Sequence, residues 1–390
     1  MATKTVNPIR HVEGICPHSI NRVRFLRFLS LDLRRIGIRP ELSLNSRRIR
    51  FRAKLTDIGE KQLRHFFREE CGRRLTDQHL FLQQMIASGV LREFTEISQL
   101  NIDAISPRIQ LCTTRHDADI FKFVRLMQSV PAPPLLYRQV PVIVRDDGQP
   151  GSPIMGVFGL TSGVYSLAGR DEFLGWVGKN AEVRKKRGLK QIMHLAICMA
   201  TPPYHHLRAA RLLAALAATR EIAEEYRRRY VPRNGRDRLL ALVTTSATGI
   251  HAPIFNRLML RPGGLYRRVG ETTGYSAVFF SRDTIAAARQ LVVHVDSKSP
   301  EYRAIRTLKR AFSICGIPRE PLLRLCTPKG VYVALLGHQA LTGLRGRTRC
   351  DEPDYLCTDE VIEYWKKRDL PKALEKIDRL GKGVLADVVA

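Results

Sequence analysis

The sequence predicts an α/β (α+β) protein: a mixed-sheet core flanked by a basic, mostly helical amino-terminal module and a helical carboxy-terminal appendage. Three observations carry this. Before residue 118 apolar residues recur at helical spacing between arginines; from 119 to 295 short β-rich runs alternate with amphipathic helices; from 296 helical periodicity returns. The expected domains are therefore 1–118, 119–295 and 296–390.

The amino-terminal module opens with VRFLRFLSLDLRRI, an amphipathic helix whose polar face holds Arg24 and Arg27. LTDIGEKQLRHFFREECGRRL and HLFLQQMIASGVLREFTEI predict two more helices. In the core, VPVIV and PIMGVFGL flank the turn signal Asp146-Asp147-Gly148 and predict a hairpin. RDEFLGW follows, then the charged helix VRKKRGLKQ and the apolar strand MHLAICMA. That strand stops at Pro202-Pro203, and a long amphipathic helix begins near His206, with Leu212, Leu213, Leu216, Ile222 and Tyr226 on one face. After Pro232-Arg233-Asn234-Gly235 come the strand LLALVTT, a short helix at APIFNRL and a last strand, GYSAVFF. In the appendage, IRTLKRAFSICGI and EVIEYWKKRDLPKALEKIDRL flank the apolar run KGVYVALLG.

Lys and Arg outnumber Asp and Glu 65 to 37, a formal charge of +28, and residues 1–75 alone hold 18 basic against 7 acidic side chains. A polyanionic partner is the simplest cause, nucleic acid and in the first instance DNA. Arg24, Arg27, Arg47, Arg48 and the run Arg184-Lys185-Lys186-Arg187 are the expected phosphate contacts. No apolar run reaches the ~20 residues of a bilayer span, so no membrane partner and a cytoplasmic location are expected. Eight cysteines without a CxxC pair give neither a disulfide framework nor a metal site, and no cofactor is specified.

The strand–PPYHHLRAA–helix junction predicts an anion site. Backbone N–H groups converge at a helix start, Arg208 adds a guanidinium, and the small Ala209 and Ala210 allow close approach. Tyr204, His206, Asn256 and Arg257 complete the expected ligand set. Catalytic candidates are Asp171, in the pair Arg170-Asp171, and Thr245, Ser246 and His251 at the carboxyl end of a core strand, where a serine nucleophile needs a base in reach.

The strand–loop–helix–strand order resembles the acyl-coenzyme A cradle of the GNAT acetyltransferases, although the loop lacks that family's glycines. More specifically, IMGVFGLTSGVYSLAGRDEFLGW, ATPPYHHLRAARLLA, LVTTSATGIHAPIFNRL and PKGVYVALLG resemble the DruA family of the Druantia anti-phage defence systems, over roughly residues 85–345. The first resemblance implies a GNAT-like core; the second implies a bacterial antiviral role beside other Druantia components, including the helicase-like DruE. It supplies no reaction. Family members usually carry Gly-Gly-Lys where this chain has Ala209-Ala210-Arg211, and Tyr where Phe255 precedes Asn256; a phenylalanine cannot protonate a leaving thiolate. The expectation is a nucleic-acid-binding defence protein acting with helicase-type partners. A nucleotide- or nucleic-acid-modifying transferase and a non-catalytic structural adaptor are the alternatives.

Overall fold

The computed structural model describes residues 4–5, 17–45, 48–55, 58, 60–130, 135, 137–247, 249–272, 279–292, 300–317, 322–325, 328–347 and 353–380. In chain order its elements are β1 (Lys4–Thr5), α1 (Pro17–Arg35), β2 (Pro40–Asn45), β3 (Arg48–Leu55), α2 (Glu60–Asp77) and α3 (His79–Ala87). Then come β4 (Pro107–Leu111), α4 (Arg115–Leu126), β5 (Gln139–Asp146), β6 (Ile154–Ser162), α5 (Ala168–Phe173), α6 (Ala181–Gly188) and β7 (Ile192–Ala200). The chain continues through α7 (Ala209–Leu216), α8 (Arg220–Tyr230), β8 (Ala241–Thr245), α9 (Pro253–Asn256), β9 (Arg267–Glu271), α10 (Arg282–Leu291) and α11 (Pro300–Ile314). It closes with β10 (Gly330–Leu335), α12 (Ala340–Leu344), α13 (Thr358–Tyr364) and α14 (Leu370–Leu380).

The chain divides into two compact units, one made of residues 1–67 and 273–329, the other of 68–272 and 330–390. Composition changes near 118 and 295, whereas the contacts of the chain divide it at 67/68, 272/273 and 329/330. In the first unit β1, β3 and β2 form a small antiparallel sheet. There α1 packs against α10, and its buried Asp32 accepts hydrogen bonds from Ser281 N (2.7 Å) and Thr284 Oγ1 (2.6 Å), anchoring the start of α10.

The second unit is a seven-stranded mixed sheet in the order β4-β5-β6-β7-β8-β10-β9. The pair β7–β8 is parallel, from Ile192↔Ala241 to His194↔Val243, and the other pairings are antiparallel. Alternation along β5 serves both faces. Val140, Val142 and Val144 join the core beneath α7 and α8, while Ile143 turns to Phe121 and Val124 of α4. The turn after β5 needs a glycine, because a Cβ on Gly148 would fall 1.6 Å from the Ala104 carbonyl oxygen.

The expected hairpin, the charged helix α6 and the strand β7 are present. Three elements differ. The long helix after the loop is two helices, because at Thr219 the chain leaves helical geometry to bridge Leu356, with Arg220 N donating to Leu356 O (3.0 Å). The run KGVYVALLG is not part of a separate appendage: as β10 it lies between β8 and β9 in the main sheet. Most of GYSAVFF lies outside the described residues, and its last two, Phe279 and Phe280, lead into α10 rather than forming a strand. No helix among the described residues is long and apolar enough to cross a membrane.

The carboxy-terminal helix belongs to the same core. Val361, Trp365 and Leu370 pack with Leu212, Leu213 and Leu216 of α7, all of them buried. Each such side chain contributes about 1.5–3 kcal/mol through burial. Leu213 is fully buried, so Leu213→Ala is expected to lower unfolding free energy by about 2–5 kcal/mol in a denaturant titration, whereas Glu224→Ala on the exposed side of α8 should change it by less than about 0.5 kcal/mol.

Candidate functional site

The loop 201–208 is a succession of tight turns, so α7 begins at Ala209 and not near His206. Its N–H groups are already engaged. His205 N donates to Thr201 O, His206 N to Pro203 O, Leu207 N to Tyr204 O and Ala209 N to Tyr204 O. The open row of helix donors expected at this junction is therefore absent, and an anion here must be held by side chains. Tyr204 faces inward: it is fully buried, and its hydroxyl donates to Asp146 Oδ2 (2.9 Å), pinning the loop to the hairpin turn. Ala209 is buried as well.

Arg208 caps α7 in the left-handed conformation, with φ 58° and ψ 25°. An arginine there costs on the order of 1–2 kcal/mol. The loop geometry sustains that strain, and the side chain lines a pocket of about 240 Å³.

Three segments build the pocket. Arg208 and Arg211 come from the start of α7; Asn256, Arg257 and Met259 from the end of α9 and the chain just after it; Arg368 and Lys372 from the carboxy-terminal helix. Between α13 and α14 that helix passes through one π-helical turn, Trp365–Asp369, which displaces the register where Arg368 and Asp369 sit. Arg211 holds the walls together: its guanidinium donates to Asp369 Oδ1 and to the Arg257 carbonyl. Tyr364 adds a tie, its hydroxyl accepting from Met259 N (2.9 Å), and the Arg368 guanidinium sits 5.5 Å from the Tyr364 ring centre.

Asp369 is 1 % exposed, with Arg208 Nη1 4.0 Å from its Oδ1; its Oδ2 has no hydrogen-bond partner among the described residues. Burial raises its pKa, opposed first by Arg211 and then by Arg208 and Arg368. Burial in turn holds Arg211 below the usual arginine value, opposed by Asp369. Around the pocket five cationic side chains thus face one carboxylate, itself committed to Arg211. Two like charges about 8 Å apart repel by roughly 2 kcal/mol at an effective dielectric near 20, so a multiply charged anion here would relieve several such repulsions.

The other expected residues are placed elsewhere or turned to different tasks. Arg170, Asp171 and Lys185 form a buried triad: Asp171 accepts from Arg170 Nε (2.8 Å) and Lys185 Nζ (2.8 Å), and Arg170 lies against the Trp176 ring. Lys185 is thereby withdrawn from the surface. Arg184 donates to the carbonyls of Gly175, Val177 and Lys179 and closes the turn before α6, leaving Lys186 and Arg187 exposed. Ser246 is buried, its hydroxyl donating to Gly249 O and accepting from Gly330 N (2.9 Å), which makes it a turn clamp. Thr245 ends β8 opposite Val331, and His251 is exposed. Arg24 and Arg27 are exposed on α1, Arg24 donating to Gln290 (3.2 Å). Arg47 and the side chain of Arg48 lie outside the described residues.

A family model of the Druantia protein DruA matches residues 63–339. The chain belongs to the DruA family. It is 25% identical over 320 residues to Druantia protein DruA of Escherichia coli (strain UMEA 4076-1), an alignment covering 73% of this chain and 77% of that protein. No solved structure matches. Membership in the family places the chain among the proteins of Druantia anti-phage defence. The α7 and α9 walls of the pocket lie within the matched residues, and Arg368 and Lys372 beyond them. Arg368 and Asp369 escape a reading of the sequence because the run KKRD looks like the solvated face of a helix, and Lys372 and Arg211 because only the folded chain brings them to the same pocket.

At the parallel pair beside this loop, His194 Nδ1 is enclosed and has no partner among the described residues. Burial, helped by the Arg170 guanidinium, depresses the ring's pKa from 6.5 to about 4. A depressed folded-state pKa contributes stability that is present above 6.5 and lost as pH falls towards 4, on the order of 3 kcal/mol. Denaturant titrations from pH 7 to pH 4 should therefore show a smaller acid loss for His194→Gln than for the wild type.

Proposed function

We propose that this chain is the nucleic-acid-engaging component of a Druantia defence system, gripping phosphate in the pocket between α7, α9 and the carboxy-terminal helix and working with helicase-type partners such as DruE. The observation that carries this reading is the convergence of five cationic side chains from three segments on one small cavity, against a single committed carboxylate. Nucleic acid, DNA in the first instance, is the polyanion that also accounts for the +28 charge. Arg24 and Arg27 on α1, and Lys186 and Arg187 on α6, supply outlying phosphate contacts from exposed positions.

A GNAT-like core is the finer description of the sheet that we favour, on the parallel pair β7–β8 followed by a strand–loop–helix turn. An acyl-coenzyme A cradle does not follow from it, since the loop N–H groups are spent on backbone carbonyls and Phe255 packs against Tyr266 and Tyr332. Among the catalytic candidates, Ser246 and Asp171 have their polar atoms occupied by turn and triad contacts. Binding is thus better supported than turnover.

Neutralising six to ten phosphates lowers affinity by about 10³–10⁵ between ~50 and ~200 mM salt. Fluorescence titrations of the full chain with DNA should show that dependence. Replacing both Arg257 and Lys372 by Ala, exposed residues whose loss leaves Arg211–Asp369 intact, should reduce the salt slope by about 2, abolish phage protection and leave the melting temperature nearly unchanged. Binding indifferent to salt, or full protection by the folded variant, contradicts the proposal.

A further inference from the structure

We infer that the pocket is specific for a strand end: it takes the terminal phosphomonoester of a nucleic acid, not an internal phosphodiester. This rests on the nucleic-acid reading and narrows it. Size comes first. At about 240 Å³ the cavity is smaller than the ~300–1,000 Å³ usual for whole small-molecule ligands, so it encloses a phosphate group and leaves the attached nucleoside outside.

Charge is the second consideration. An internal diester carries one negative charge, shared by two free oxygens, whereas a terminal monoester carries about −1.5 to −2 at neutral pH and offers three acceptor oxygens. Asp369 is already paired with Arg211 and lies 4.0 Å from Arg208, so five cationic side chains against this one carboxylate leave a net excess of four positive charges around one small space. A single diester leaves most of that charge uncompensated. The monoester matches it better, and guanidinium forks suit its several oxygens.

The third observation is what flanks the pocket. Along α14, Lys376 stands one turn beyond Lys372, a rise of about 6 Å, and it is close enough to His206 to lower that ring's pKa, second to burial. His206 in turn lies against the exposed His205, ring centres 3.7 Å apart and ring planes tilted by 42°. The loop that delivers Arg208 into the pocket therefore presents, just outside it, a flat imidazole face for a base and a lysine for the next phosphate. Stacking on such rings is how unpaired bases are commonly held.

The test uses the full chain and three labelled single-stranded oligonucleotides of one sequence, with a 5′-phosphate, a 3′-phosphate or hydroxyls at both ends, titrated at about 150 mM salt. One phosphorylated end is expected to bind at least ~10-fold tighter than the hydroxyl-ended strand, and which end it is gives the polarity. Arg257→Ala should bring that ratio close to one while changing affinity for the hydroxyl-ended strand only a few-fold, and His205→Ala should weaken the phosphorylated strand with the ratio partly kept. Equal binding of all three strands by the wild type overturns this inference and leaves the nucleic-acid reading standing; no binding of any strand overturns both.

Discussion

The ion pair between Arg211 and Asp369 is the constraint on which the rest of the site depends. It joins residues 158 positions apart, fastening the carboxy-terminal helix to the start of α7, and the same guanidinium holds the Arg257 carbonyl. Asp369 is buried and Arg211 nearly so, which makes the pair costly to form and costlier to break. A hydrophobic contact in its place would pack α7 as well, but would not orient Arg208 and Arg257 around a common space. The arginines are thus ordered before any ligand arrives, which lowers the entropy an anion must offset on binding.

Around that pair the fold concentrates rigidity. Tyr204 anchors the loop to Asp146, the loop N–H groups are bonded internally, and Arg208 is held in a left-handed conformation that an arginine adopts only under constraint. On the other wall the π-helical turn brings Asp369 inward and Arg368 outward on successive residues. The cationic side chains come from a buried scaffold, in contrast to the exposed arginines of α1, which suit non-specific contact with a backbone.

Much of this was legible in the sequence where the signal is local. Helical periodicity located α1, the Asp146-Asp147-Gly148 turn located the β5–β6 hairpin, and the proline-ended strand located the loop that carries Arg208. Arg208, Asn256 and Arg257, chosen from two separate motifs, line one pocket. What was not legible is non-local. KGVYVALLG has no feature that declares its place between β8 and β9, because strand order depends on pairing across the chain. The break at Thr219 follows from a bridge to Leu356, and the role of Asp369 from a partner on α7. Tyr204 and Lys185, polar enough to suggest ligand contacts, are turned inward by Asp146 and Asp171, neither of which is near them in sequence.

The most direct test of this account is a double-mutant cycle on the pair, using Arg211→Met, Asp369→Leu and the double variant, with unfolding free energies from denaturant titration. Each single change leaves a buried charge without its partner and should cost about 3–5 kcal/mol, whereas the double variant should lose far less than the sum, a coupling of several kcal/mol. Additive losses, within about 0.5 kcal/mol, would contradict the claim that this ion pair assembles the site.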